Sequence, residues 1–200
     1  NNIICAQQFG FRKEHSTVHQ IKRVVNFLET NKRNRRSTGV IFLDIEKACD
    51  SIWHDGLVFK LNNLNFPTYL QKIIKSFLEQ RSFVVTIDNM ESSVRQIPAG
   101  LPQGSVLSPT LYSIYISDIT VRRNQEVAFY ADDSAFVCYG KVSNAIVRKM
   151  EDSLEFTNKY FDKWKITVNV GKTQAIIFPY NRSPKRIPTK QIFSRDRKSV

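Results

Sequence analysis

Cysteine is scarce in this chain of 200 residues, and the three present, Cys5, Cys49 and Cys138, are scattered without C-x-x-C spacing. This pattern argues against a cysteine zinc site and favours a reducing compartment inside the cell, in the nucleus, the cytoplasm or both. Long apolar runs are also missing, since none approaches the roughly 20 residues that a membrane span needs. No signal peptide is recognisable at the start of the chain, so neither membrane insertion nor secretion is supported.

Acidic residues are few beside the basic ones. The chain has 18 Asp and Glu against 30 Lys and Arg, a formal net charge of +12. Such an excess predicts a polyanionic partner, with nucleic acid as the first interpretation and an anionic membrane surface as the second. A hydrophobic content of 42% fits one globular domain with a core of its own.

Two adjacent carboxylates are the most informative feature of the sequence. Asp132 and Asp133 interrupt an apolar stretch, with residues 127–130 before them and 134–138 after them, which predicts a hairpin with both acids at its tip. Two like charges about 4 Å apart repel by about 4 kcal/mol at an effective dielectric of 20, so a divalent cation is the natural counter-charge. Taken alone, the pair is equally compatible with a solvated turn, where aspartate is common.

Three further stretches accompany that hairpin. Val40–Leu43 is a short apolar run that predicts a buried strand ending at Asp44. Residues 98–105 are rich in Gly and Pro and precede a helix with Ser108 as its predicted cap; such a loop can approach a ligand closely, or simply connect two elements. Residues 171–173, Gly-Lys-Thr, predict a turn into a last strand at 174–178.

In this order, the stretches resemble the fingers and palm of a reverse transcriptase. Phe42–Ala48, Gly100–Pro109 and Phe129–Asp133 are more closely similar to the polymerases of non-LTR retrotransposons of the jockey type. The similarity spans roughly residues 7 to 180. It implies an α+β right-hand polymerase fold, in which an antiparallel palm sheet packs on helices and the thumb is absent.

The resemblance also implies a division of the chain. Residues 1–39 would be a partial fingers segment, and residues 40–180 the palm with inserted fingers elements. From residue 181 to 200 the chain is basic and aperiodic, which predicts a disordered tail. An endonuclease and a thumb would belong to the rest of a larger polyprotein of the mobile element.

By the same resemblance, Asp44, Asp132 and Asp133 hold two Mg²⁺ ions, or Mn²⁺, with help from the Ile45 carbonyl. Lys172 matches a lysine that donates a proton to pyrophosphate. The residues implied to contact the incoming nucleotide are Arg12, Ile45, Cys49, Gln103 and Gly104. RNA template, DNA primer and dNTPs are the implied partners.

Cys49 departs from the family pattern. A bulky aromatic residue usually occupies that position and excludes a ribose 2′-hydroxyl, so the smaller thiol predicts easier entry of ribonucleotides. Two alternative functions stay open: a catalytically inactive remnant that binds nucleic acid, and an RNA-directed RNA polymerase. The Leu-Pro-Gln-Gly loop at 101–104 and Ala131 before the two aspartates favour the reverse transcriptase.

Overall fold

The computed structural model describes residues 3–119, 125–141 and 143–188. Its helices are α1 (Thr17–Arg33), α2 (His54–Asn63), α3 (Thr68–Leu78), α4 (Ser108–Tyr115) and α5 (Ser143–Lys163). Its strands are β1 (Ser37–Leu43), β2 (Ser82–Phe83), β3 (Thr86–Ile87), β4 (Met90–Glu91), β5 (Arg95–Gln96), β6 (Gln125–Tyr130), β7 (Asp133–Gly140), β8 (Gln174–Phe178) and β9 (Lys185–Ile187). No helix in these ranges is long and apolar enough to cross a membrane.

Five strands form the main sheet in the order β6-β7-β1-β8-β9, and every neighbouring pair is antiparallel. Strand β1 lies at its centre, where Val40 packs on one face and Ile41 and Leu43 pack on the other. Helix α1 covers the first face, while α2, α4 and α5 contribute to the core on the second. Both faces of β1 are covered as far as Ile41, which accounts for its continuous apolar run, but Phe42 is 43% exposed and lines a cavity beside α1.

Ser16, followed by apolar residues at helical spacing, predicts a helix that begins after it, and α1 begins there. The Ser16 hydroxyl accepts a hydrogen bond from the His19 amide at 3.2 Å, which satisfies one of the amides left unpaired at a helix start. Val24, Phe27 and Leu28 then pack against the sheet beside Val40. This packing fixes α1 next to the end of β1 where Asp44 follows.

A buried lysine lies on the other side of the sheet. Lys60, in α2, is 3% exposed, and its ammonium donates to Asp118 Oδ1 at 2.6 Å, to the Tyr160 hydroxyl at 2.8 Å and to the Tyr115 carbonyl. It also lies 3.8 Å from the centre of the Trp164 ring. Burial lowers the pKa of Lys60 from 10.5 to about 8, although the Asp118 carboxylate opposes the shift. Helix α2 is thereby joined to α5 and to the end of α4.

Two runs typical of strands, residues 82–87 and 92–97, flank turn-forming residues at 88–91 and predict a hairpin. The structure has this hairpin, but its ladder is interrupted: β2 pairs with β5 and β3 pairs with β4. Its turn residues Asp88 and Asn89 both have positive φ, 48° and 64°, a conformation that Asp and Asn tolerate better than most residues. At the base of the hairpin, Arg81 donates to the Ala99 and Gly100 carbonyls. The hairpin is therefore attached to the Gly-rich loop.

Disorder was predicted from residue 181 onward, and for Lys185–Ile187 that prediction is wrong, because these residues form β9. They pair with β8, whose outer backbone groups would otherwise lack partners at the edge of the sheet. Residues 189–200 of the predicted tail lie outside the described ranges. The sheet also begins at Ser37, ahead of residue 40, where the palm was predicted to start.

At two helix starts the sequence predicts a side-chain cap: Ser108 for α4, and Asp50 or Ser51 for α2, with Asp50 alternatively an anchor. Neither cap forms. Helix α2 begins after Trp53, without a side-chain cap, and Asp50 instead accepts a hydrogen bond from Gln103. Ser108 is the first residue of α4 rather than its cap, and its hydroxyl donates to the Pro102 carbonyl at 2.6 Å. In both places the side chain that was predicted to cap a helix instead stabilises the Gly-rich loop.

Candidate active site

The two adjacent carboxylates lie at the tip of the β6–β7 hairpin. Tyr130 pairs with Asp133 as the last pair of the ladder, which leaves Ala131 and Asp132 as the turn. Ala131 has a φ of 57°, in the left-handed region that a residue with a Cβ rarely adopts. Both aspartates are exposed. The predicted hairpin with acids at its tip is confirmed.

Strand pairing brings Asp44 to the same place. Strand β1 pairs with β7 so that Leu43 lies opposite Ser134, and the Ser134 hydroxyl donates to the Leu43 carbonyl at 3.2 Å. Continuing that register by one residue sets Asp44 beside Asp133. The Asn169 amide donates to the Asp44 carbonyl at 2.8 Å and holds its backbone. Three carboxylates thus meet at one end of the sheet.

These carboxylates repel one another. Burial raises the pKa of Asp133 above its usual range, and the negative charges of Asp132 and Asp44 raise it further. Lys172 Nζ lies 4.0 Å from Asp44 Oδ2, but its side chain is 72% exposed, so solvent screens much of its attraction. The cluster therefore carries an excess of negative charge.

The donor set suits a hard divalent cation, since Mg²⁺ prefers carboxylate and carbonyl oxygens. In the described ranges, however, no three His, Cys, Asp or Glu side chains stand close enough to hold a metal ion as they are placed. The backbone of Asp132 and Asp44 is already fixed by the turn and by the strands. Binding would therefore need a rotation of the exposed Asp132 side chain and of the half-buried Asp44 side chain.

The Ile45 carbonyl is available for such a role. Ile45 forms an antiparallel bridge with Val168, and the two hydrogen bonds of that bridge involve the neighbouring residues Asp44 and Glu46. The segment around Val168 thus fixes the direction of the chain beyond β1 without using the Ile45 carbonyl in either bond.

A cavity lies on each side of the hairpin tip. The first, of about 530 Å³, opens between α1 and the sheet and is lined by Asp44, Asp133 and Lys172 among others. The second, of about 480 Å³, is lined by residues that include Asp132, Phe11, Cys49, Gln103 and Gly104. The second cavity therefore brings together three residues predicted to contact a nucleotide, Cys49, Gln103 and Gly104, and one predicted metal ligand, Asp132.

The Gly-rich loop forms one wall of the second cavity. Gln103 Nε2 donates to Asp50 Oδ1 at 2.8 Å, which ties the loop to the segment after β1. Gly100 has a φ of 85°, and a Cβ there would lie 2.5 Å from the Asp50 carbonyl oxygen. Gly104 has a φ of 78°, yet a Cβ there would meet nothing within 4 Å. Gly104 is thus required by its backbone conformation and borders open space.

Two side chains near Asp132 have raised pKa values, Cys49 and Tyr112, and the sequence predicts a role at the site only for Cys49. Burial raises the pKa of the Cys49 thiol, and the charges of Asp132 and Asp50 add to the effect, so the thiol stays protonated at neutral pH. The Tyr112 hydroxyl is buried without a hydrogen-bond partner among the described residues. Burial, and then the charge of Asp132, raises the pKa of Tyr112. Sequence reasoning missed Tyr112 because its spacing marks only an ordinary buried face of α4.

Arg12 is not brought to the carboxylates. Its guanidinium donates to the Cys5 carbonyl at 3.2 Å and to the Gln8 carbonyl at 3.1 Å, and it lines neither of the two cavities. Its neighbour Phe11 lines the second cavity instead. A contact between Arg12 and a triphosphate stays a prediction.

Comparison with known proteins identifies the family. The family model described as reverse transcriptase (RNA-dependent DNA polymerase) matches residues 1–193. The chain belongs to the reverse transcriptase family. Over 179 residues it is 39% identical to the RNA-directed DNA polymerase from mobile element jockey of Drosophila melanogaster, covering 86% of this chain and 19% of that protein. The predicted resemblance to jockey-type elements is thereby confirmed.

A second relative is a polymerase from another transposon. The probable RNA-directed DNA polymerase from transposon BS of Drosophila melanogaster is 35% identical over 179 residues, which cover 86% of this reverse transcriptase chain and 20% of that protein. The chain thus spans about a fifth of the length of these relatives.

Solved structures confirm the fold. The apo telomerase of Candida tropicalis truncated from its C-terminal domain superposes with a TM-score of 0.64 at 15% identity, over 92% of this chain and 40% of that one. The telomerase of Candida albicans in complex with a fragment of telomeric RNA gives a TM-score of 0.63 at 13% identity, over 84% and 31%. The expected antiparallel sheet packed on helices is the fold of a reverse transcriptase domain.

Proposed function

We propose that this chain is the catalytic module of an RNA-directed DNA polymerase of a mobile element, which adds dNTPs to the 3′-hydroxyl of a DNA primer on an RNA template. The observation that carries the proposal is the strand register, which sets Asp44 beside Asp133, the residue that follows Asp132. Burial raises the pKa of Asp133, and the negative charges of Asp132 and Asp44 raise it further. The net charge of +12 supports a nucleic-acid partner.

In this proposal, Asp44, Asp132 and Asp133 hold two Mg²⁺ ions, or Mn²⁺, and the Ile45 carbonyl is a further ligand. When bound, two such metal ions would activate the primer hydroxyl and stabilise the leaving pyrophosphate in an in-line displacement. Lys172, which lies 4.0 Å from Asp44 Oδ2, donates a proton to the pyrophosphate.

The second cavity takes the incoming nucleotide in this proposal. Asp132 reaches it from the hairpin tip, while Gln103, Gly104 and Cys49 form part of its wall. The open space beside Gly104 allows a base or a sugar to lie against the backbone.

The three cysteines are free, which supports a reducing compartment, the nucleus or the cytoplasm.

Primer extension tests the proposal. A folded protein containing this chain is given a primed RNA template, dNTPs and Mg²⁺, and Asp132→Asn is compared with Asp88→Asn, the same change at the exposed turn of the β3–β4 hairpin. We expect Asp132→Asn to lose at least about 100-fold in rate, because a ligand charge is removed at the reacting centre, and Asp88→Asn to keep the parent rate.

Equal extension by Asp132→Asn and its parent would refute the assignment of the carboxylates. A parent that binds the primed template but never extends it would instead identify a nucleic-acid-binding remnant. Extension with rNTPs but not with dNTPs would favour an RNA-directed RNA polymerase.

A further inference from the structure

The loop that precedes α1 lies along the strand that leads to the catalytic turn. Gln8 forms a parallel bridge with Phe129 in β6. The Phe9 amide donates to the Phe129 carbonyl at 2.9 Å, and the Phe129 amide donates to the Gln7 carbonyl at 3.0 Å. This loop, residues 7–10, thus adds a short stretch of backbone pairing beyond the five-stranded sheet.

The side chain of Gln8 continues that pairing into the turn. Its Nε2 donates to the Ala131 carbonyl at 3.1 Å, and its Oε1 accepts from the Ala131 amide at 3.2 Å. The same Oε1 accepts from the Gly10 amide at 2.8 Å. Gln8 is fully buried, so water does not compete for these bonds. One carboxamide therefore satisfies both backbone groups of a single turn residue.

The residue that Gln8 holds is the strained one. Ala131 has a φ of 57° and directly precedes Asp132. Without a partner for its amide and carbonyl, the turn would relax towards conformations that alanine prefers, and Asp132 would move with it. Gly10 permits the approach, since a Cβ on it would lie 2.1 Å from the Ala131 nitrogen.

We propose that Gln8 is a positioning residue of the reverse transcriptase site, whose carboxamide fixes the left-handed turn that presents Asp132 to the metal ions. The metal part of this inference rests on the proposed function; the part concerning the turn does not. Gln8 acts through Ala131 and touches no reacting atom.

Gln20 supplies a matched control. It is also a buried glutamine, 5% exposed, and its Nε2 donates to the Gln7 carbonyl at 2.7 Å and to the Phe129 carbonyl at 2.8 Å. It therefore bonds the same loop and the same strand, but not the turn. Gln8→Met and Gln20→Met remove a carboxamide of equal size from equally buried positions, so both are expected to lower the melting temperature.

The experiment compares amide hydrogen exchange at Ala131 with Mn²⁺ affinity, measured from the electron paramagnetic resonance signal of the free ion, in the parent chain and both variants. We expect Gln8→Met to speed exchange at Ala131 about tenfold, because that amide loses its acceptor, and to weaken Mn²⁺ binding about tenfold or more, as loss of an outer-shell partner does. Gln20→Met should leave both close to the parent values.

Should Gln8→Met fail to fold, Gln8→Glu replaces it. Ionised Glu keeps an acceptor for the Ala131 and Gly10 amides but replaces the donor by a second oxygen that repels the Ala131 carbonyl. We therefore expect slow exchange at the Ala131 amide together with weakened Mn²⁺ binding, because the turn is displaced. Exchange and Mn²⁺ affinity that change equally in the Gln8 and Gln20 variants would overturn the inference. A parent that binds no Mn²⁺ would count against the proposed function, while exchange at Ala131 would still decide the role of Gln8.

Discussion

Replacing the buried Lys60 by methionine should stabilise the protein at neutral pH. The pKa of Lys60 falls from 10.5 to about 8 on folding, and at about 1.36 kcal/mol per unit this difference corresponds to roughly 3 kcal/mol. That is the cost of burying the charged ammonium relative to the neutral amine, after the attraction of Asp118 has been counted. Methionine fills the same space beside Trp164 without a charge, and the Asp118 side chain that it leaves without a partner is 49% exposed, so water can solvate that carboxylate. We therefore expect the free energy of unfolding at pH 7 to rise by about 1 to 3 kcal/mol.

The sign of the pH dependence follows from the same shift. Between about pH 8 and pH 10.5 the unfolded chain still holds the Lys60 proton while the native protein has released it, so the contribution of Lys60 to stability rises with pH. Below pH 8 both states are protonated and the full cost remains. The advantage of Lys60→Met over the parent should therefore shrink between about pH 7 and pH 9.5, and taking the difference between the two proteins cancels the ionisation of tyrosines in the unfolded chain.

Urea unfolding of both proteins at these two pH values measures the effect. Lys72→Met is the control, because Lys72 also lies in a helix, α3, but is exposed; its change should stay within about 0.5 kcal/mol. If Lys60→Met unfolds more easily than the parent by over about 1 kcal/mol at pH 7, or if the difference between them does not depend on pH, the assigned cost of burial is wrong.

Three further predictions concern the site. Tyr112→Phe should raise the free energy of unfolding of the metal-free protein by about 1 kcal/mol in urea unfolding, because it removes a buried hydroxyl without a partner; a loss of stability would mean that the hydroxyl has a bond after all. Cys49→Phe should raise the ratio of kcat/KM for dCTP over rCTP, since a ring beside Asp132 leaves less room for a 2′-hydroxyl; an unchanged ratio would refute a steric role for residue 49. Affinity for a primed template should fall steeply between about 50 and 200 mM salt, because neutralised phosphates release counterions; a flat response would exclude an electrostatic nucleic-acid interface.

Sequence reasoning succeeds here where the signal is local. The apolar run before Asp44 and the two runs around Asp132 and Asp133 each carry the pattern of a strand, and the family resemblance supplies the pairing that brings them together. The start of α1 is equally local, since Ser16 bonds an amide three residues away. Such features depend on neighbours that the same short stretch already contains.

What sequence reasoning misses depends on distant partners. The apolar spacing of α3, at Leu70, Ile73, Ile74, Phe77 and Leu78, predicts core packing. Leu78 is buried and Ile74 and Phe77 pack against the core, but Ile73 is 57% exposed. A stripe shows which face is apolar and says nothing of whether another element covers it. Gln8 shows the converse, since a polar residue in a loop gives no sign that its partner lies 123 positions further along the chain.

That separation has a consequence for the order of folding. At about 5 to 20 residues per second, a ribosome needs on the order of ten seconds between releasing Gln8 and releasing Ala131. Until then, α1 and the β2–β5 hairpin can form from local contacts while the Gln8 carboxamide remains hydrated. The contact between Gln8 and the turn that carries Asp132 therefore forms later than these local elements, and the backbone of Ala131 stays accessible to water until it does.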